Sequence, residues 1–145
     1  QTSEAQRAGV EYLIKSWFRS AAAEVKNYQL MGNLVSDWGK ALTGVSGYSS
    51  VGAVVGATFQ EEAKVLRSAM PDTIFLVPGY GAQGGTADDV IPCFNKDGLG
   101  AIVNSSRAVM CAYKKEGCDE RDFAKAARRE VLRMKDDITQ YINLK

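Results

Sequence analysis

Two segments of the chain combine residue types and spacing that could bind an anion. Residues 79–84, Gly-Tyr-Gly-Ala-Gln-Gly, match G-x-G-x-x-G and contain the neutral donor Gln83. Residues 104–107, Asn-Ser-Ser-Arg, end in Arg107, whose guanidinium presents a fixed fork of donors that fits a phosphate. Glycines let backbone N–H groups approach an anion closely, and a following helix N-terminus adds partial positive charge. Together the two segments predict a phosphate-binding site.

The glycine pattern has two other interpretations. A dinucleotide fingerprint has the same form, but it also needs an acid about 20 residues on, at the end of the next strand. The next predicted strand ends in Asn104, and Asp97 lies in the turn before it, which disfavours a dinucleotide. The second interpretation is a plain glycine-rich turn, with Arg107 as a solvated surface charge. The occurrence of suitable residues on two neighbouring loops favours the phosphate site.

The composition excludes several kinds of site and partner. The 145 residues include no histidine, which rules out a Ser-His-Asp or Cys-His site within the chain. The three cysteines lack C-x-x-C spacing, so we expect reduced thiols in a cytoplasmic protein. A net charge of +1 gives no general affinity for nucleic acid, and no apolar run approaches the roughly 18 residues of a membrane span. We therefore expect neither nucleic acid nor membrane as a partner.

The chain begins with Gln and shows no signal-peptide pattern, from which we expect a processed chain or part of a longer one.

The elements that would position the two segments alternate between strands and helices. Apolar periodicity predicts two N-terminal helices, over residues 4–26 and 30–42. Short apolar runs predict three strands, over residues 51–57, 74–77 and 100–103. Helices are predicted to follow over residues 59–69, from 86, and from 119 to 142. This alternation implies a parallel sheet, in which ligands bind at the carboxyl ends of the strands, and both segments lie at those ends.

Local signals set the expected helix boundaries and buried faces. Thr58 with Glu61, and Thr86 with Asp89, are spaced as capping boxes, and Pro92 is expected to shorten the second of these helices. The first of these helices is expected to direct inward Ala63, Leu66 and Met70. The last helix is expected to present one apolar face, formed by Phe123, Ala127, Val131, Met134, Ile138 and Tyr141.

Residues 51–58, 75–85 and 98–107 resemble the last three strands of the orotidine 5′-phosphate decarboxylase family in its long bacterial form. The three motifs occur in the family's order and spacing. The resemblance implies an α/β fold that is part of a (β/α)8 TIM barrel, with its last three strands and their helices, preceded by a helical N-terminal segment. It divides the chain into residues 1–29, a helical segment of unclear origin, and residues 30–145, a C-terminal portion of the barrel domain.

The resemblance also implies a function. Members of this family convert orotidine monophosphate to uridine monophosphate and carbon dioxide in pyrimidine biosynthesis, with no metal or organic cofactor, and a homodimer is expected. By that match Gln83 and Arg107 would bind the substrate phosphate, helped by backbone N–H groups near Gly85, Ser106 and Arg107. Pro78 would pack against the pyrimidine.

The family's catalytic Lys and Asp residues have no counterpart in this sequence. They occur in a D-x-K-x-x-D-I signature, and the nearest segment, Lys-Asp-Asp-Ile at residues 135–138, has the wrong spacing. We therefore expect no catalytic residue in this chain, and an N-terminal half of the barrel as its partner. The alternative is a non-catalytic partial barrel that binds phosphate or a nucleotide. A complete barrel needs about 200–250 residues. An open half-barrel would expose strand edges and a large apolar face, which favours the enzyme.

Overall fold

The computed structural model of the chain describes residues 25–81 and 84–142. The helix predicted over residues 4–26 lies outside this part except for its last two positions, which are not helical. No helix of the described residues is both long and apolar enough to cross a membrane.

Three short strands alternate with helices along the described residues. The strands are β1 (Ala53–Val54), β2 (Phe75–Pro78) and β3 (Ala101–Asn104). The α-helices are α1 (Asn27–Gly39), α2 (Gln60–Ala69), α3 (Ala87–Val90), α4 (Ser106–Met110), α5 (Ala112–Glu116) and α6 (Phe123–Thr139). Single 3-10 turns are formed by Lys40–Leu42, Ile91–Cys93 and Glu120–Asp122. The strands form one sheet in the order β1-β2-β3, and both pairings are parallel, which confirms the predicted α/β class.

The sheet is more extensive than its two-residue first strand suggests. N–H groups of alternate residues from Ala53 to Ala57 donate to backbone oxygens of the β2 segment at 2.9–3.0 Å, as far as Pro78. The apolar run predicted over residues 51–57 is therefore paired along most of its length, and its carboxyl end lies beside the end of β2.

The two faces of the sheet differ in burial. One face packs on the helices and buries Phe75 and Val77 completely. On the other face Val54, Leu76 and Ile102 are in register across the three strands and are 71%, 41% and 58% exposed. Parallel sheets are normally covered on both faces. We call these three residues the open row; in the part of the chain that the structure describes, nothing buries it.

One of the two predicted capping boxes forms. The Thr86 N–H and Oγ1 donate to Asp89 Oδ2 at 2.7 and 2.8 Å, which confirms the box at the start of α3. The box predicted from Thr58 and Glu61 is wrong, because the N-cap of α2 is Phe59 and no side chain caps it. Since the helix begins one residue later than the pattern indicated, the Thr58 hydroxyl lies outside the capping position.

Pro92 shortens the third helical segment as predicted. α3 ends at Val90 and continues only as the 3-10 turn Ile91–Cys93, in which Pro92 occupies an early position. A proline in a helix interior removes a backbone donor and clashes with the preceding turn, so the α-helix ends before it.

The buried face of α6 differs from the prediction. Ile138 is buried and Met134 packs against the core, as expected, but Phe123 and Val131 are 59% and 47% exposed. In the first half of the helix the buried positions are Ala126 and Glu130. The helices α4 and α5, which the sequence analysis did not predict, pack against α6 and select this different face.

A buried arginine holds together the amino ends of the strands. Arg67 of α2 is 7% exposed and lies over the Phe75 ring, with its guanidinium carbon 3.6 Å from the ring centroid. Its guanidinium donates at 2.9–3.2 Å to the backbone oxygens of Met70, Pro71, Thr73, Cys93 and Gly100. Burial lowers the pKa of Arg67. The side chain therefore acts as a multivalent donor to segments that flank β2 and β3.

Candidate phosphate-binding site

A pocket of about 330 Å³ opens at the carboxyl ends of β2 and β3. It is lined by Pro78, Gly79, Tyr80, Asn104, Ser105, Ser106, Arg107 and Met110. The pocket forms there because Pro78 and Asn104 are register partners, so the loops after the two strands leave the sheet side by side. Both sequence segments that could bind an anion therefore contribute to one pocket.

The segment after β3 presents its donors to the pocket. Arg107 is exposed, in the first turn of α4, and its guanidinium forms no ion pair with a carboxylate among the described residues. Ser106 is also exposed, and its hydroxyl donates to Asn104 Oδ1 at 3.0 Å. N–H groups in the first turn of a helix have no acceptor within the helix. Arg107 and these N–H groups can together bind an anion.

The glycine-rich loop after β2 closes on itself. The Gly81 N–H donates to Gly85 O at 2.7 Å, and the Gly85 N–H donates to Gly79 O at 3.1 Å. A Cβ at Gly85 would lie 2.6 Å from Gly79 O, so only glycine fits there. The N–H of Gly85 is already used inside the loop.

The structure places the five predicted site residues differently. Pro78, Ser106 and Arg107 line the pocket. Gly85 lies instead in the wall of a neighbouring cleft of about 310 Å³. Gln83 lies outside the described residues.

Sequence reasoning missed a tie between the two loops. Ser105 is buried, and its hydroxyl donates to Tyr80 O at 2.9 Å, which joins the loop after β3 to the loop after β2. A small polar residue directly after a strand was the available signal, but it does not indicate which carbonyl it reaches.

Sequence reasoning also missed the contact between the glycine-rich loop and α6. Tyr80 is 3% exposed, and its hydroxyl donates to Asp137 Oδ2. Burial and this hydrogen bond raise the pKa of Tyr80 to about 12. The two residues are 57 positions apart, and no local pattern indicates such a contact.

The neighbouring cleft contains a second set of charges. Arg133 donates to both carboxylate oxygens of Glu130, which lowers the pKa of that partly buried carboxyl group. Arg133 also lines the cleft, together with Tyr80 and Asp137. Among the described residues no group of three or more carboxylate and thiol side chains is arranged to hold a metal ion.

The fold and the pocket define a class of protein: part of a parallel α/β barrel with a pocket at the carboxyl ends of its strands. No family model matches the chain. Three similar proteins carry the same name. The chain is 50% identical over 120 residues to the orotidine 5′-phosphate decarboxylase of Clostridium tetani, an alignment that covers 83% of the chain and 41% of that protein. Identity to the enzyme named so in Clostridium perfringens strain 13 is 44% over 142 residues, or 98% of the chain and 47% of the relative. The corresponding values for Rhodopirellula baltica are 38% over 149 residues, 95% and 49%.

A solved structure supports the fold assignment. The structure of a putative orotidine-monophosphate-decarboxylase from Toxoplasma gondii matches with a TM-score of 0.63 and 22% identity, covering 85% of this chain and 45% of that one. This likeness shows the fold alone, and the expected partial barrel is confirmed. The chain is homologous to one part of the orotidine 5′-phosphate decarboxylases, as the resemblance in its sequence indicated. It spans less than half the length of these curated relatives, and the alignment over 98% of the chain extends into residues 1–29.

Proposed function

We propose that this chain is the phosphate-binding portion of an orotidine 5′-phosphate decarboxylase, a carboxy-lyase that forms uridine monophosphate and carbon dioxide in pyrimidine biosynthesis. One observation carries the proposal: Pro78, Ser106 and Arg107 meet in a single pocket at the carboxyl edge of the sheet, and Arg107 has no carboxylate partner in the described residues. The names of the homologues supply the substrate.

The pocket would bind the phosphate at one end of the substrate and the pyrimidine at the other. The Arg107 fork meets two phosphate oxygens at once, and the first-turn N–H groups of α4 add neutral donors. By the family resemblance Gln83 would bind the phosphate from the other loop, whereas the Gly85 N–H already donates to Gly79 O. Pro78 is half-buried and provides an apolar wall for the pyrimidine. Binding energy obtained at a phosphate remote from the reacting carbon can order the site around the transition state.

The reacting groups would come from an N-terminal half of the barrel. This chain lacks the family's Lys/Asp signature, and the open row of Val54, Leu76 and Ile102 is an apolar layer that further strands would bury. Closing the sheet into a barrel would also pair the free edges of β1 and β3. A homodimer and a cytoplasmic location belong to the same proposal and rest on the family resemblance and on three free cysteines. The division into residues 1–29 and 30–145 also stays a prediction.

The proposal is tested by Arg107→Ala in the complete enzyme, with orotidine monophosphate and phosphate-free orotidine as substrates. Hydrogen bonds to charged groups are worth about 1.5–3 kcal/mol each, so losing a bidentate cation should lower kcat/KM on the phosphorylated substrate by about 3–6 kcal/mol, or two to four decades. Gln83→Ala should cost about 1.5–3 kcal/mol. Arg128→Ala, at an exposed arginine of α6, is the matched control and should change neither substrate's turnover.

Two results would contradict the proposal. Equal impairment of Arg107→Ala on both substrates would show that Arg107 does not bind the phosphate. Measurable turnover by the purified 145-residue chain would show that the chemistry lies in this half. Binding of uridine monophosphate without turnover, in a complete protein that lacks the Lys/Asp signature, would support the non-catalytic alternative.

A further inference from the structure

Tyr80 is held from three directions at the point where the glycine-rich loop leaves β2. Its backbone forms a parallel bridge with Gly85, and its carbonyl accepts the Ser105 hydroxyl at 2.9 Å. Its phenol crosses to α6 and donates to Asp137. The ring belongs to the main core cluster, so its position is set by packing.

The loop beyond Tyr80 needs such an anchor. Gly79, Gly81 and Gly84 all have positive φ, at 111°, 75° and 88°. Glycine visits these conformations easily but also leaves them easily, because it has no side chain to restrict the backbone. Hydrogen bonds among Gly79, Gly81, Gly84 and Gly85 set the shape of the described part of the loop, whereas contacts to other elements set its position beside the pocket.

We propose that the hydrogen bond between Tyr80 and Asp137 is a positioning element that couples α6 to the phosphate-binding loop. This inference rests on the proposed function. Tyr80 also lines the phosphate pocket, but its phenol and the Asp137 carboxylate meet in the neighbouring cleft, so this hydrogen bond would act on the substrate through the loop.

The charges around the pair suit this role. The cleft also contains Arg133, whose guanidinium is paired with Glu130. Its charge lowers the pKa of the Tyr80 phenol, which opposes the larger effects of burial and Asp137. Gln140 Nε2 donates to Asp137 Oδ1 at 3.2 Å, which leaves Oδ2 for the tyrosine. The hydrogen bond is partly buried, and Arg133 can only donate to the phenol oxygen, so removing the Asp137 acceptor leaves the phenol proton without its partner and the loop is expected to shift.

The test is Tyr80→Phe in the complete enzyme, measured as the ratio of its affinities for uridine monophosphate and uridine. We expect the ratio to fall about three- to tenfold, the effect of weakening one charge-assisted contact, while uridine affinity is unchanged. Asp137→Ala should reproduce the loss, and the double variant should be no worse than either single one. Asp137→Asn keeps an acceptor and should restore most of the affinity. Tyr141→Phe removes the hydroxyl of an exposed tyrosine in the same cleft and should have no effect.

Amide hydrogen exchange provides the readout that separates this inference from the proposed function. In Tyr80→Phe, the N–H groups of Gly81 and Gly85 should exchange about tenfold faster than in the wild type, whatever ligand the pocket takes. If the wild-type enzyme binds uridine monophosphate no more tightly than uridine, the proposed function fails. The exchange data then still show whether the Tyr80–Asp137 hydrogen bond positions the loop. The inference would be overturned if both the affinity ratio and the exchange rates were unchanged, or if affinity for uridine monophosphate and for uridine fell equally. If Tyr80→Phe does not fold, Asp137→Ala gives the same readings.

Discussion

Replacing Arg67 with methionine should strongly destabilise the protein. Methionine preserves much of the apolar side-chain length, so the change mainly removes the guanidinium and its hydrogen bonds. The side chain is 7% exposed, and water cannot easily take over the role of its donors.

The magnitude follows from the five backbone oxygens that accept from Arg67. Met70 O, Pro71 O and Gly100 O each accept a second hydrogen bond, from Thr73 N–H, Asn95 Nδ2 and Phe75 N–H. Thr73 O and Cys93 O have no other donor among the described residues. The two orphaned carbonyls cost about 1–3 kcal/mol each, and the other three oxygens lose less. Relief of the buried charge offsets part of this cost, which leaves a destabilisation of about 3–5 kcal/mol. That is a large part of the roughly 5–15 kcal/mol that stabilises a typical domain.

The assay is urea unfolding of the complete protein followed by circular dichroism. Arg67→Met should lower the free energy of unfolding by about 3–5 kcal/mol. Arg67→Lys should lower it by less, because an ammonium keeps three donors, although it lacks the planar fork of the guanidinium. Arg128→Met, at an exposed position of α6, should stay within about 0.5 kcal/mol of the wild type. A loss below about 1 kcal/mol for Arg67→Met would refute the reasoning, because it would mean that the carbonyls find other partners at little cost.

Three further predictions concern the sheet, the glycine-rich loop and acid stability. The isolated chain should self-associate through the open row, as measured by sedimentation; a monodisperse monomer that unfolds cooperatively would contradict this. Gly85→Ala should cost about 1–3 kcal/mol in thermal unfolding, because its Cβ would meet Gly79 O at 2.6 Å, whereas Gly44→Ala, whose nearest neighbour is 3.8 Å away, should be close to neutral. Hydrogen bonds from the Thr86 backbone, the Gln60 side chain and the Thr86 hydroxyl lower the pKa of Asp89, so its contribution to stability should be present above its unfolded pKa and lost as pH falls through the lower folded value. Asp89→Asn should therefore flatten the acid limb of the unfolding midpoint against pH, and an unchanged limb would rule this contribution out.

Tertiary contacts decided several features that local patterns could not. The helices α4 and α5 contain five residues each, too short for an apolar period to be recognised. Their packing against α6 then decided which face of that helix is buried, so Phe123 and Val131 are exposed despite their regular spacing. The hydrogen bond between Tyr80 and Asp137 depends on how the loop and the helix approach each other in space.

The sequence by itself determined the order of the three strands and of the described α-helices other than α4 and α5, the parallel class of the sheet and the edge at which the pocket forms. These features depend on interactions within a few residues: a buried strand needs a continuous apolar run, and the box at Thr86 and Asp89 needs only a spacing of three. The three motifs also indicated the family, because their glycines, Pro78 and Arg107 follow successive strands in one order. Only the tertiary structure decided that Pro78 and Arg107 share one pocket while Gly85 lies in the neighbouring cleft. Strand register and loop closure set those distances, and both arise from hydrogen bonds between residues far apart in the chain.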